Sequence, residues 1–184
     1  RGWFYTLHAI SCLSFNSISY KNVVSNGLVL DKNGQKMSKR LGNAIDPFEM
    51  INVYGADAVR WYMISNSNPW DNLKFDKEGV AEIERKFFGT LQNVYSFFSL
   101  YANIDNFKYK EDKIDVVKRP ELDRWIISEI NSLAKKVDYN LDNYDLTPAA
   151  RDINDFVQEK LSNWYVRLSR RRFWKGEYNE DKIS

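Results

Sequence analysis

The chain has 184 residues, 43% hydrophobic and 28% charged, with 27 basic against 25 acidic side chains. That length allows one or two domains with a real core, and no apolar run approaches the ~20 residues needed to span a bilayer. A single cysteine (Cys12) and a single histidine (His8) exclude a disulfide framework, a multi-cysteine zinc site and catalysis by paired histidines within this chain. The net charge of +2 points to no partner, but Arg and Lys thicken toward the C-terminus while acids are spread throughout. The first residues do not read as a signal peptide, so a cytoplasmic location is the expectation.

Arg1-Gly2-Trp3-Phe4-Tyr5 opens the chain without an initiator Met and runs into an apolar helix ending near Ser14. Such a start is expected of a segment cut from a larger protein. His8, within Leu7-His8-Ala9-Ile10, reads as a packed or partly exposed helix residue rather than a ligand. Val23-Val24 and Leu28-Val29-Leu30 are short β-type runs bounded by Asn26-Gly27 and by Asp31-Lys32-Asn33-Gly34. Asn33-Gly34 predicts a type I′ turn with positive φ at both residues, so Lys36-Met37-Ser38-Lys39-Arg40 leaves the sheet on a hairpin.

Asp46-Pro47-Phe48-Glu49 predicts a helix start, with Asp46 as N-cap, Pro47 at the first position and Glu49 closing a capping box. Gly55 stops that helix, and 56–64 begin the next. The polar stretch 66–72 is a loop and the expected boundary between domains 1–72 and 73–184. Beyond it the pattern is helical. Val80, Ile83, Phe87, Leu91, Val94, Phe98 and Tyr101 recur at three- and four-residue steps. Leu122, Ile126, Ile130, Leu133, Val137 and Leu141 form a second stripe after Pro120. Thr147-Pro148 is expected to cap a third helix carrying Ile153, Val157, Leu161, Trp164 and Leu168. The expected fold is mainly α: a small β-hairpin/α unit followed by an antiparallel helical bundle.

Lys36 and Lys39 flank Met37-Ser38 on the loop after the turn. Two ammonium groups at this spacing can converge on one polyphosphate while the backbone between them approaches a nucleotide. The residues alone leave a solvated basic hairpin open. Further on, Arg167, Arg170 and Arg171 lie at i, i+3 and i+4 and share a helix face, whereas Arg172 points elsewhere. Guanidinium groups suit phosphates, and Trp164, Phe173 or Trp174 could stack on bases. A solvated basic face with core aromatics is the alternative.

Taken in order, Arg1-Gly2-Trp3-Phe4, the pentapeptide KMSKR and Gly55-Ala56-Asp57-Ala58-Val59-Arg60 resemble the class I aminoacyl-tRNA synthetases and their KMSKS loop. Arg1-Gly2-Trp3-Phe4, Asn163-Trp164-Tyr165-Val166-Arg167 and Arg170-Arg171-Arg172-Phe173-Trp174 are similar to the isoleucyl members rather than the valyl, leucyl or methionyl ones. The resemblance implies the end of a Rossmann-type catalytic domain followed by an anticodon-binding bundle. It implies an ATP-dependent ligase that activates isoleucine with Mg2+-ATP and passes it to tRNA(Ile), working as a monomer. Lys36, Met37, Ser38 and Lys39 would hold ATP, with Lys36 and Lys39 stabilising the departing pyrophosphate. Trp3 would line the isoleucine side-chain pocket, although an ordinary core aromatic is its other reading. Trp164, Arg167, Arg170 and Arg171 would contact tRNA, and no metal site is implied within the chain.

Two departures stand beside the matches. Arg40 replaces the final Ser of the signature, keeping the positive field but not that hydroxyl. His8 alone cannot supply the His-Ile-Gly-His type motif of the class, so the chain by itself is expected to be inactive. A tRNA-binding module without chemistry is the alternative of a different class.

Overall fold

The computed structural model describes residues 2–184; Arg1, the first residue of the Arg-Gly-Trp-Phe run, lies outside them. The protein is mainly helical. Among the described residues no helix is long and apolar enough to cross a membrane. Helix α1 (Trp3–Phe15) buries none of its residues. Tyr20 ties it to the following segment by donating its hydroxyl to the Phe4 carbonyl, at 2.8 Å, and by an edge-on contact with the Phe4 ring.

Strand β1 (Val29–Leu30) pairs in parallel with β2 (Leu73–Lys74), in the register Val29–Leu73 and Leu30–Lys74. The hairpin expected around the lysine loop is reduced to one antiparallel bridge, Leu30 to Lys36. Val23 and Val24 are exposed and form no strand. β-Branched residues favour strands where a pleated surface covers them, and nothing covers these two. The type I′ turn is also corrected. Gly34 has φ 81° but Asn33 is not among the positive-φ residues, so the loop is 32–34 with glycine at its left-handed third position. The Asp31 carboxylate sets that geometry by accepting from the Asn33 and Gln35 amides at 3.0 and 2.8 Å.

Helix α2 (Pro47–Tyr54) starts as expected: the Asp46 side chain accepts from the Phe48 amide, with Pro47 in the first turn. Glu49 faces Lys77 at 3.9 Å instead of closing a capping box. Gly55, at φ 84°, separates α2 from α3 (Ala56–Asn66). The first core gathers Met50, Ala58, Val59, Tyr62, Leu73, Phe75 and Val80, with Met37 and Ile45 packed against it. Leu73 of β2 and Phe75 just after it continue a period-2 alternation, both inward, with Lys74 outward.

Helix α4 (Lys77–Ile83) continues through a π-helical segment, Glu84–Phe88, into α5 (Gly89–Ile104). Helix α6 (Glu121–Asp142) packs against α7 (Leu146–Asp155). Helix α7 runs through a second π-helical segment, Phe156–Val166, into α8 (Arg167–Lys175), and α9 (Glu180–Ile183) closes the chain. A second core holds Phe87, Ile126, Phe156 and Val157, bordered by Trp61, Phe88, Trp125 and Tyr165.

The π segments correct two of the three predicted stripes. Each wider turn inserts about one residue and rotates the rest of the helix by roughly 100°, so an extrapolated 3.6 period slips. Leu91 and Phe98 are exposed beyond the first segment and Trp164 and Leu168 at the second, where Val166 and Ser169 are buried in their place. In α6, which has no π segment, Ile130 and Leu141 of the second stripe are exposed as well. Thr147 is not an N-cap either: α7 begins at Leu146 with no side-chain cap. The Thr147 hydroxyl instead lies 2.7 Å from the Ile64 carbonyl and 2.9 Å from that of Ser67. Arg151 donates to the carbonyls of Ser65 and Asn66 at 2.9 and 2.8 Å. These carbonyls end α3, where a cation also complements the helix dipole. Thus α7 closes the C-terminus of α3 and joins the two cores.

Candidate functional site

The lysine loop is built on the end of β1. The Asp31 side chain is nearly buried, at 8% exposure. One of its oxygens takes the Asn33 and Gln35 amides, and the other accepts from Asn43 Nδ2 at 2.9 Å. The Asn43 amide holds its carboxyl below the usual carboxylate range, helped by the Gln35 N–H. Asn43 also reaches into the loop. Its Oδ1 accepts from the Ser38 amide at 2.8 Å and its Nδ2 reaches the Lys36 carbonyl at 3.3 Å.

Within this frame the four ATP candidates divide. Met37 turns inward against the first core. Ser38 caps a short 3-10 turn, Lys39–Leu41, its hydroxyl accepting from the Arg40 amide at 3.2 Å. Gly42, at φ 68°, ends that turn in the left-handed region that glycine adopts without strain. Lys36 and Lys39 are exposed. Among the described residues neither of them enters an ion pair. Lys39 borders an open depression of about 490 Å3 shared with Gly42, Ala44, Ile45, Asp46, Pro47 and Phe48. The loop thus offers two uncompensated cations on a backbone pinned from below, an arrangement suited to a polyphosphate.

Trp3 stands apart from this loop in α1, 65% exposed and in contact with the Phe4 ring at 4.0 Å. Its reading as a core aromatic is not met in this chain. His8 is exposed too, with Nε2 3.6 Å from the Cys12 sulfur.

On the last long helix Arg167, Arg170 and Arg171 are all exposed, and Trp164 is 56% exposed. Arg170 and Trp174 line a cleft with Phe97 and Tyr101, and the Lys175 ammonium sits 4.8 Å from the Trp174 ring centre. Arg172 turns inward. Its two terminal nitrogens donate to both oxygens of Asp123 at 2.8 Å, and Tyr165 donates to the same carboxylate at 2.9 Å. Burial pushes the Asp123 carboxyl up, but the Arg172 and Tyr165 hydrogen bonds outweigh it and hold the net value below the usual range. Burial, with Asp123 beside it, pushes the Tyr165 phenol up to about 12.

Sequence reasoning missed Asp31, Asn43 and Asp123. Asp31 and Asn43 carried a local signal, since Asp31 opens the turn that ends at Gly34 and Asn43 follows Gly42. Asp123 carried none, because its partners are remote in sequence.

Residues 1–76 match the family model of class I tRNA synthetases for I, L, M and V. Residues 123–183 match the anticodon-binding domain of tRNA ligase. The chain is 63% identical over its whole length to the isoleucine–tRNA ligase of Bacteroides thetaiotaomicron, and spans 16% of that relative. It is 65% identical to the isoleucine–tRNA ligase of Porphyromonas gingivalis, again spanning 16%. Against that of Dehalococcoides mccartyi strain 195, identity is 54% and the span 18%. The fold superposes with a TM-score of 0.67 on a leucyl enzyme from Agrobacterium radiobacter K84, solved as a ternary complex with tRNA and LeuAMS. There, 86% of this chain and 20% of that one are covered, at 21% identity.

Proposed function

Because the chain belongs to the class I tRNA synthetases, we propose that it forms part of an isoleucine–tRNA ligase. In this reading residues 1–72 are the end of a Rossmann-type catalytic domain, and 73–184 belong to an antiparallel anticodon-binding bundle. Leu73, Phe75 and Val80 pack into the first core, so the first residues of the second unit rest on the loop-bearing one. The full-length protein activates isoleucine with ATP and transfers it to tRNA(Ile), acting as a monomer in the cytoplasm.

The observation that carries the reading is the pinned loop with two unpaired lysines. When the amino-acid carboxylate attacks the α-phosphorus, the bond to pyrophosphate breaks and negative charge grows on the leaving group. Lys36 and Lys39 meet that charge, and the backbone at Met37 and Ser38 lies along the adenosine. Cations already in place lower the barrier without reorganising during the reaction. The loop residues do not fit Mg2+: their charges are positive, and Asp31 is occupied by three hydrogen bonds. Any Mg2+ that accompanies ATP is held by other groups.

Trp3 is the wall of the isoleucine pocket in this reading, and its exposure in α1 leaves the indole free for a substrate. An apolar wall separates valine from isoleucine by only ~1–3 kcal/mol, about 10–200-fold, so editing is required. Trp164, Arg167, Arg170 and Arg171 form the tRNA-facing part of the bundle.

The test is ATP–pyrophosphate exchange by the full-length protein with isoleucine, valine, leucine and methionine compared. Exchange driven chiefly by isoleucine is the expected result, and leucine or methionine as the best substrate would overturn the assignment. The 184-residue chain alone is expected to show none, since His8 is its single histidine.

A further inference from the structure

We infer that Asp31 and Asn43 are positioning residues that set the spacing of Lys36 and Lys39, a role that rests on the pyrophosphate function proposed for those lysines. One carboxylate–amide contact, Asn43 Nδ2 to Asp31 at 2.9 Å, links the turn before the lysines to the residue after them. Through Asn43 it grips the segment at two points, the Ser38 amide and the Lys36 carbonyl. Through Asp31 it grips the preceding turn at the Asn33 and Gln35 amides. Met37 is fixed independently by packing on the first core. The side chains of Lys36 and Lys39 stay in solvent, so nothing but the backbone beneath them defines where their charges start.

The pair has a sense. Asp31 can only accept when ionised, and the Asn33 and Gln35 amides occupy one of its oxygens, so the donor at position 43 must be an amide N–H. Asn43 in turn must present its oxygen to Ser38. Exchanging the two side chains preserves this logic. In the swap, the carboxamide oxygen at position 31 accepts from the Asn33 and Gln35 amides, and its nitrogen donates to the carboxylate at position 43. The other oxygen of that carboxylate accepts from Ser38. The longest contact, Asn43 Nδ2 to the Lys36 carbonyl, becomes an approach of two acceptor oxygens, so the rescue is incomplete.

The experiment is steady-state ATP–pyrophosphate exchange in the full-length protein for Asn43→Ala, Asp31→Asn, the Asp31→Asn/Asn43→Asp swap, and Lys39→Ala as reference. Displacing a transition-state group by about 1 Å costs on the order of 100-fold, so Asn43→Ala should lower kcat by about 10- to 100-fold. KM for ATP and isoleucine should hold. The swap should recover most of the kcat lost in either single variant, which a loss of general stability would not allow. An unchanged kcat in Asn43→Ala overturns the inference. So does a change confined to KM, or a swap no better than its parents. An unchanged Lys39→Ala removes the lysine role itself, and the inference with it.

Discussion

Within one pentapeptide, Met37 and Lys39 have opposite environments: the thioether packs on the first core while the ammonium stays in water. The pattern suits a loop whose backbone must be placed and whose charge must be free. If the Lys39 charge meets the departing pyrophosphate as proposed, Lys39→Ala in the full-length protein should slow adenylate formation by about 100- to 1000-fold, or ~2.7–4 kcal/mol. Isoleucine affinity should barely change, and pre-steady-state measurement of adenylate formation against isoleucine titration separates the two. An equal loss in both would return Lys39 to uniform binding. The four arginines near the C-terminus make the same point. Arg172 has a carboxylate opposite it and is part of the interior, whereas Arg167, Arg170 and Arg171 face solvent.

Among the elements, the two π-helical segments decide most. By rotating α8 relative to α7, the second brings Ser169 and Arg172 inward and lets Arg172 meet Asp123 on α6. With Asp123 2% and Arg172 15% exposed, removing one partner strands the other charge. Asp123→Ala should destabilise this packing by about 3–5 kcal/mol, read as faster amide exchange in α6 and α8 of the full-length protein. The depressed carboxyl also sets a pH dependence. Its contribution is complete above the unfolded value near 3.8 and is lost as pH falls through the lower folded value. Protection of α6 and α8 should therefore fall on acidification from about pH 4, within the pH 5 to 1 span over which a salt-bridged Asp loses its contribution. In Asp123→Ala it should be low throughout, and an identical acid profile in both proteins would remove Asp123 from this role.

At the scale of the whole molecule, α7 joins the loop-bearing part to the bundle by closing α3 with Thr147 and Arg151. Stacking of Trp61 on Phe87, at 4.7 Å and 7°, continues the junction. Trp61 also donates its indole N–H to Asn154 at 2.9 Å. The bundle's exposed arginines are thereby held on the same frame as the lysine loop. If Arg170 and Arg171 each neutralise a tRNA phosphate, the double alanine variant should flatten the slope of log affinity against log salt by about 1.5. Filter binding at several salt concentrations measures it, and an unchanged slope would leave these arginines as a solvated face.

What the sequence determined by itself was local or carried by an ordered motif. The Asp46-Pro47 helix start, the Gly55 break and the apolar α1 arise from side chains acting on their own backbone within a few residues. KMSKR in order with Gly55-Ala56-Asp57 was sufficient to indicate the family. Tertiary structure decided what depends on distant partners. It set the parallel pairing of β1 with β2, gave Thr147 to the end of α3, and chose Arg172 over its neighbours for Asp123. A parallel strand leaves no mark in its own neighbourhood, because its hydrogen bonds go to residues far along the chain. A π turn is equally silent, since its wider ring is set by how the surrounding helices pack. Yet such a turn shifts residues after it between core and solvent, as Trp164 and Leu168 give way to Val166 and Ser169.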